Sequence, residues 1–212
     1  MPALGPHAAP MPAQPLESVR PHSDEELQRT LDDTLARRPH NGPIWVFAYG
    51  SLIWDPCFRH SETRRAVLSG YHRAFTMWSV HARGTPERPG LGLGLGEGGD
   101  CTGVAFKLDE KHSEDALWAL WQREMYIGIY RPLWLPVDAD GRALTALCFV
   151  ADTAHPQYAS GLTVEQTARV IASAHGKFGS CRDYLAETVA ALEQYGTPDV
   201  DLAALLALVD RL

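Results

Sequence analysis

Long hydrophobic runs are missing from this chain. None of its apolar stretches approaches the ~18 residues of a membrane span, and the N-terminus has no apolar segment of the kind that opens a signal peptide. The expectation is a cytoplasmic protein. Excess positive charge is missing too. Nineteen Lys and Arg stand against 26 Asp and Glu, a formal net charge of −7, which argues against nucleic acid or an anionic membrane as partner. Only four cysteines occur, Cys57, Cys101, Cys148 and Cys181, with no C-x-x-C spacing, so reduced thiols packed in the core are expected. Histidines at metal-ligand spacing are lacking, since His72 and His81 have no third ligand at a recognisable distance. The G-x-S-x-G elbow of serine hydrolases is absent as well, because the run around Ser51 reads Tyr-Gly-Ser-Leu-Ile.

The 212 residues suffice for one domain with a real core. Residues 1–21, rich in Pro and Ala, read as a mobile tail. Ser23 and Glu26 form a capping box for a helix carrying Leu27, Leu31 and Leu35 and ending near Arg37 and Arg38. Tail and helix make residues 1–43 an extension, followed by a main domain over 44–212. From residue 44 to about 150 the pattern is strand-like. It predicts a strand at 45–48, one or two at 64–78, and a pair at 91–96 and 102–108 joined by a turn at 97–100. A hairpin is predicted for 131–137 and 143–150. One helix interrupts, from Glu114 to about Tyr126, with Ser113 as N-cap. The last third is helical: a helix opened by Thr163 and Gln166 and closed by Gly176, a second capped by Ser180, and a short third capped by Asp199. A mixed sheet with an inserted helix and trailing helices reads as α+β.

Three features invite chemistry. The run 44–56 sets a Tyr49-Gly50-Ser51 break between two apolar stretches, where a surface turn would have polar flanks. Glu124 lies seven after Leu117, four after Leu120 and three after Trp121, on the apolar stripe of its helix. It also sits near the helix C-terminus, where a carboxylate is disfavoured by roughly 0.3–1 kcal/mol. A half-buried carboxylate has a raised pKa and suits proton transfer. The plainer readings are that the buried face has ended by Glu124, or that Arg123, Arg131 or Arg73 pairs with it. Third, Leu91, Leu93 and Leu95 alternate with Gly90, Gly92, Gly94 and Gly96. A bare glycine face admits a ligand, or a neighbouring strand at a tight barrel bend. The G-x-G-x-x-G inside this run is followed by a strand pattern, so it fails as a dinucleotide fingerprint.

Taken in order, "WVFAYGSLIWDP", "GTPERPGLGLGL", "GGDCTGVAFKL", "LWQREM" with "YRPLWLPV", and "HPQYASGLTVEQTARVIASAHGKFGSCRDYL" resemble the ChaC-type γ-glutamylcyclotransferases over roughly residues 44–192. The resemblance implies a γ-glutamylcyclotransferase-like fold, a small mixed sheet or barrel with an inserted catalytic helix and C-terminal helices. It implies cyclisation of the γ-glutamyl group of glutathione to 5-oxoproline with release of Cys-Gly, and needs no metal or cofactor. Glu124 then matches the catalytic glutamate, Tyr49, Gly50, Ser51 and Leu52 the substrate loop, and Tyr130 and Tyr158 the tyrosines lining the site. Arg83 and Arg88 are weaker candidates, for the glycine carboxylate end of the substrate, and either reads equally as a plain surface charge. Rival readings are an enzyme acting on another γ-glutamyl amine or peptide, and a non-catalytic binding protein. Where better-known members have Gly-Gly-Tyr, this chain reads Ile127-Gly128-Ile129-Tyr130.

Overall fold

A computed structural model of the chain describes residues 11–12, 16 and 19–212. Most of the expected tail, residues 1–10, 13–15 and 17–18, lies outside the described residues. Leu16, within it, is buried in the main core.

Five strands close a barrel in the order β1-β3-β2-β4-β5. They are β1 (Trp45–Ala48), β2 (His60–Ser79), β3 (Gly90–Leu108), β4 (Tyr130–Ala139) and β5 (Arg142–Ala151). All neighbours are antiparallel except β1 and β5, which meet in parallel at Val46 and Leu147. β1 is buried along its whole length, as its unbroken apolar sequence demands of a strand covered on both faces.

The expected turn at 97–100 is not a turn. β3 runs unbroken for 19 residues beside the 20 of β2. The ladder shifts register between Ser69 and Tyr71, where Gly70 on one strand and Gly98 and Gly99 on the other take positive φ. Glycines that signal a turn in sequence here bend a continuous pair, because left-handed backbone also makes a bulge. The glycine face of β3 holds no ligand space. A methyl group on Gly94 would lie 2.4 Å from Thr76 Oγ1 and 3.0 Å from the Ala151 Cβ, so the tight barrel bend is the correct reading. Leu91, Leu93 and Leu95, on the other face, are fully buried.

The inserted helix, α2 (Ser113–Glu124), is capped differently from expectation. Ser113 is its first residue, not its N-cap. A 3-10 turn over Glu110–His112 precedes it, and Asp109 caps that turn by accepting from the Lys111 amide. The helices α3 (Val164–Ser173), α4 (Cys181–Gln194) and α5 (Val200–Val209) carry the expected Thr163, Ser180 and Asp199 caps. α3 stops at Ser173, earlier than Gly176. Ala174 turns extended, and Gly176 belongs to a two-stranded hairpin, β6 (His175–Gly176) with β7 (Gly179–Ser180).

The N-terminal helix, α1 (Asp24–Ala36), has the predicted capping box and lies against the inserted helix. Leu27 and Leu31 are buried. Trp121 of α2 donates from Nε1 to Thr30 Oγ1 at 3.0 Å, and Trp134 of β4 donates to the Thr34 carbonyl at 2.8 Å. Trp121 is fully buried and three residues before Glu124. Removing residues 1–43 should therefore lower the melting temperature. The loss of the buried Leu16, Leu27 and Leu31 and of the acceptors of two indole N–H groups corresponds to several kcal/mol. Thermal unfolding of the truncated chain beside the full one checks this, and an unchanged Tm would show that α1 contributes nothing to the core.

Candidate active site

Glu124 is the last residue of α2. Its side chain keeps 12% of its surface exposed. Arg123 Nε stands 3.3 Å from Glu124 Oε1. Of the three arginines weighed as partners, this is the one in contact, yet it is shared: Nη1 donates to the Asp55 carbonyl at 2.6 Å and to Asp55 Oδ2 at 3.1 Å. Burial raises the Glu124 carboxyl to about 7, and Arg123 offsets only part of that rise. Desolvation thus outweighs the ion pair, and the group is poised to exchange a proton near neutrality.

Three phenols surround it. Burial raises the Tyr49 phenol well above its ordinary range, and the Tyr130, Glu124 and Tyr184 charges add to the rise. Tyr130 is raised by burial and then by Glu124 and Tyr184. Burial and, more weakly, Glu124 raise Tyr184 against a bond from Leu93. All three remain protonated at physiological pH. Tyr49 donates to the Phe149 carbonyl at 2.7 Å and Tyr130 to the Leu93 carbonyl at 3.0 Å. Tyr184 accepts from the Leu93 amide at 3.4 Å and so retains its own O–H as a donor. Cys181 covers the next stretch of the same strand edge: the Leu91 amide lies 3.3 Å from its sulfur, and the thiol donates to the Leu91 carbonyl at 3.2 Å. The edge of β3 from Leu91 to Leu93 therefore has its polar groups met by side chains instead of a strand.

The Tyr49-Gly50-Ser51-Leu52 break forms one wall. β1 pairs with β3 as far as Ala48 and Val104, and the chain then enters a 3-10 turn over Ser51–Ile53. The first amides of such a turn have no acceptor within it. Gly50 passes against Tyr184: a methyl group there would lie 3.2 Å from the phenol oxygen. Leu52 and Ile53 are buried beneath. The break between two apolar runs is thus the end of a core strand turning into a core-anchored loop.

Arg83 lies at the rim. Its guanidinium stacks over Tyr184 at 5.4 Å and Trp54 at 5.8 Å, donates to the Phe178 carbonyl at 2.5 Å, and faces Glu187 at 3.7 Å. It is a held group with a 13% exposed side chain, not a plain surface charge. Arg88 is exposed, in a turn with Thr85. Tyr158 is half-buried in the segment after β5, where its backbone bridges Met77 of β2. The charge of Glu124 thus acts on Tyr49, Tyr130 and Tyr184, Gly50 passes against Tyr184 with Ser51 and Leu52 next along the chain, and Arg83 stacks on Tyr184, whereas Arg88 lies outside. Tyr184 was missed by sequence reasoning. Its signal was present: Cys181, Tyr184 and Thr188 lie three and four apart on α4, beside the leucine stripe, and all three are buried. The cysteines are free, with Cys57 the half-buried one. Among the described residues no cluster of His, Cys, Asp and Glu could hold a metal ion.

Comparison with known proteins places this geometry in context. The family of ChaC-like proteins matches residues 44–212. A glutathione-specific γ-glutamylcyclotransferase of Escherichia coli is 41% identical over 191 residues, covering 90% of this chain and 83% of the relative. Glutathione-specific γ-glutamylcyclotransferase 1 of Homo sapiens is 31% identical over 201 residues, 92% and 90% of the two chains. A crystal structure of a γ-glutamyl cyclotransferase specific to glutathione from yeast superposes with a TM-score of 0.74 at 24% identity, covering 81% of this chain and 97% of that one, and bears on the fold alone.

Proposed function

Since the chain belongs to the ChaC-like family, we propose that it is a γ-glutamylcyclotransferase that cyclises the γ-glutamyl group of glutathione to 5-oxoproline and releases Cys-Gly. The observation that carries this reading is the carboxylate of Glu124, raised to about 7 among three neutral phenols. The reaction needs a base that takes one proton from the substrate α-ammonium and returns it to the leaving amine, which favours a pKa close to the working pH.

The steps balance without an enzyme nucleophile. Glu124 takes a proton from the α-ammonium. The freed amine attacks the γ-carbonyl carbon, and the carbonyl oxygen gains negative charge. The amide C–N bond to cysteine then breaks as Glu124 gives its proton to that nitrogen, and the second proton of the former α-amine passes to the released amine, leaving a neutral lactam N–H in 5-oxoproline and an ammonium on Cys-Gly. The amides of Gly50, Ser51 and Leu52 face the developing oxyanion. Holding the glutamyl chain bent, amine against carbonyl, supplies much of the rate. Tyr130 and Tyr184 line the floor, and Tyr158 and Arg83 stand on the leaving-group side. The substrate is a small molecule, with no nucleic acid or membrane partner. Its place is the cytoplasm; among the described residues no helix is long and apolar enough to cross a membrane.

Incubation of the purified protein with glutathione, followed by mass detection, should show 5-oxoproline and Cys-Gly in equal amounts. Release of free glutamate instead would replace cyclisation by hydrolysis, and no turnover at all would leave a binding protein.

A further inference from the structure

Arg73 is the most deeply buried guanidinium whose bonds reach the substrate loop. It lies on β2, its side chain 2% exposed, and spends its donors on three diverging acceptors. Nε donates to the Tyr49 carbonyl at 2.5 Å. Nη2 donates to the Thr102 carbonyl of β3, and Nη1 to Asp199 Oδ2. Asp199 uses its other oxygen to cap α5, accepting from the amides of Asp201 and Leu202. The guanidinium sits where the β1–β3 ladder has ended, since its last pair is Ala48 with Val104. The Tyr49 carbonyl therefore has no strand partner there, and the arginine supplies one.

The consequence reaches the next residue. A peptide group is planar and trans, so its carbonyl and the following N–H point in opposite directions. Fixing the Tyr49 oxygen on Arg73 fixes the Gly50 N–H on the side away from it. A charge-assisted bond to a carbonyl is stronger than a neutral one, and Gly50 has no side chain to hold its own orientation. Lysine in the same place could still offset Asp199, but a single ammonium does not reproduce a planar fork to three acceptors.

We propose that Arg73 is a positioning residue for the cyclisation: by gripping the Tyr49 carbonyl it sets the plane of the Tyr49–Gly50 peptide, and with it the aim of the Gly50 amide at the reacting carbonyl oxygen. This rests on the cyclotransferase reading of the site. Asp199 serves as counterion and helix cap.

Arg73→Lys tests it. The variant should lose about 10- to 100-fold in kcat, the scale of an ångström-sized misplacement, while KM for glutathione changes less than about threefold. Carbonyl 13C of Tyr49 and amide 15N of Gly50 should both shift in labelled protein. Leu202→Ala is the structural control. It empties core space under α5 and leaves every hydrogen-bonding group of Arg73 and Asp199 in place, so Tm should fall while kcat stays within about threefold. Should the lysine variant fail to fold, Arg73→Met combined with Asp199→Ser removes both charges together and keeps a capping oxygen for α5; its kcat should fall equally. A folded Arg73 variant with kcat within about threefold of the parent, unmoved Tyr49 and Gly50 resonances, or a Leu202→Ala protein losing kcat in step with Tm would each overturn the proposal. A parent protein inert toward glutathione would overturn the cyclotransferase reading alone, because the resonances still report the peptide plane.

Discussion

Glu124→Gln should lose at least ~10²-fold in kcat with glutathione, the lower end for a positioned general base, and should melt no lower than the parent at pH 8. Glutamine keeps the shape and accepts hydrogen bonds but cannot take the ammonium proton. The stability half follows from the direction of the pKa. The carboxyl sits at about 7 in the folded protein against 4.5 when free. Below pH 4.5 both states hold the proton, and burial of the group carries no charge penalty. Between pH 4.5 and 7 only the folded state holds it, so stability falls as pH rises. Above pH 7 the penalty is complete, up to about 3 kcal/mol. Glutamine escapes it. The variant's advantage in Tm should appear at pH 8 and vanish near pH 4.5.

An ion-pair role makes the opposite forecast. If Arg123 depended on Glu124, the glutamine variant would strand a buried charge and lose a few kcal/mol at every pH above the carboxylate range. The structure speaks against this, because Arg123 keeps its two bonds to Asp55 without Glu124. The parent's activity carries the same signature. As a base, Glu124 must be ionised, so kcat/KM should rise with pH through about 7. An active but clearly destabilised glutamine variant, or a profile flat from pH 5 to 8, would take the base away from Glu124.

N-acetyl-glutathione should not react at all. Acylation removes the lone pair that attacks the γ-carbonyl, and nothing in the site replaces it. Ser51 lies in the 3-10 turn, where its carbonyl accepts from Trp54 and Asp55. Cys57 is the cysteine that senses the Glu124 charge, and burial raises its thiol, away from the reactive thiolate. Mass spectrometry after prolonged incubation should find the compound intact. Free N-acetyl-glutamate would reveal water or a side chain as nucleophile and overturn the self-cyclising mechanism.

Much of this protein was legible in one dimension. Capping boxes at Ser23 and Thr163, the strand at 45–48 and the hairpin at 131–150 depend on local periodicity and on side chains bonding the nearest amides, and all are present. Glu124 was placed on a buried stripe by counting along one helix, because helical spacing is a property of the chain itself. Elements whose outcome depends on distant partners were not legible. Whether glycines at 97–100 make a turn or a bulge was decided by Gly70 across the ladder. Tyr184 joined the site because the edge of β3 lacks a strand partner at Leu93, 91 residues away. Which arginine meets Glu124, and which instead grips the Tyr49 carbonyl, followed from where β1 ends relative to β2 and α5. Sequence fixes what each residue can offer over one or two turns of chain. Desolvation, which raises Glu124 to about 7, is a sum over everything packed around it, and only the closed barrel with its helices supplies that sum.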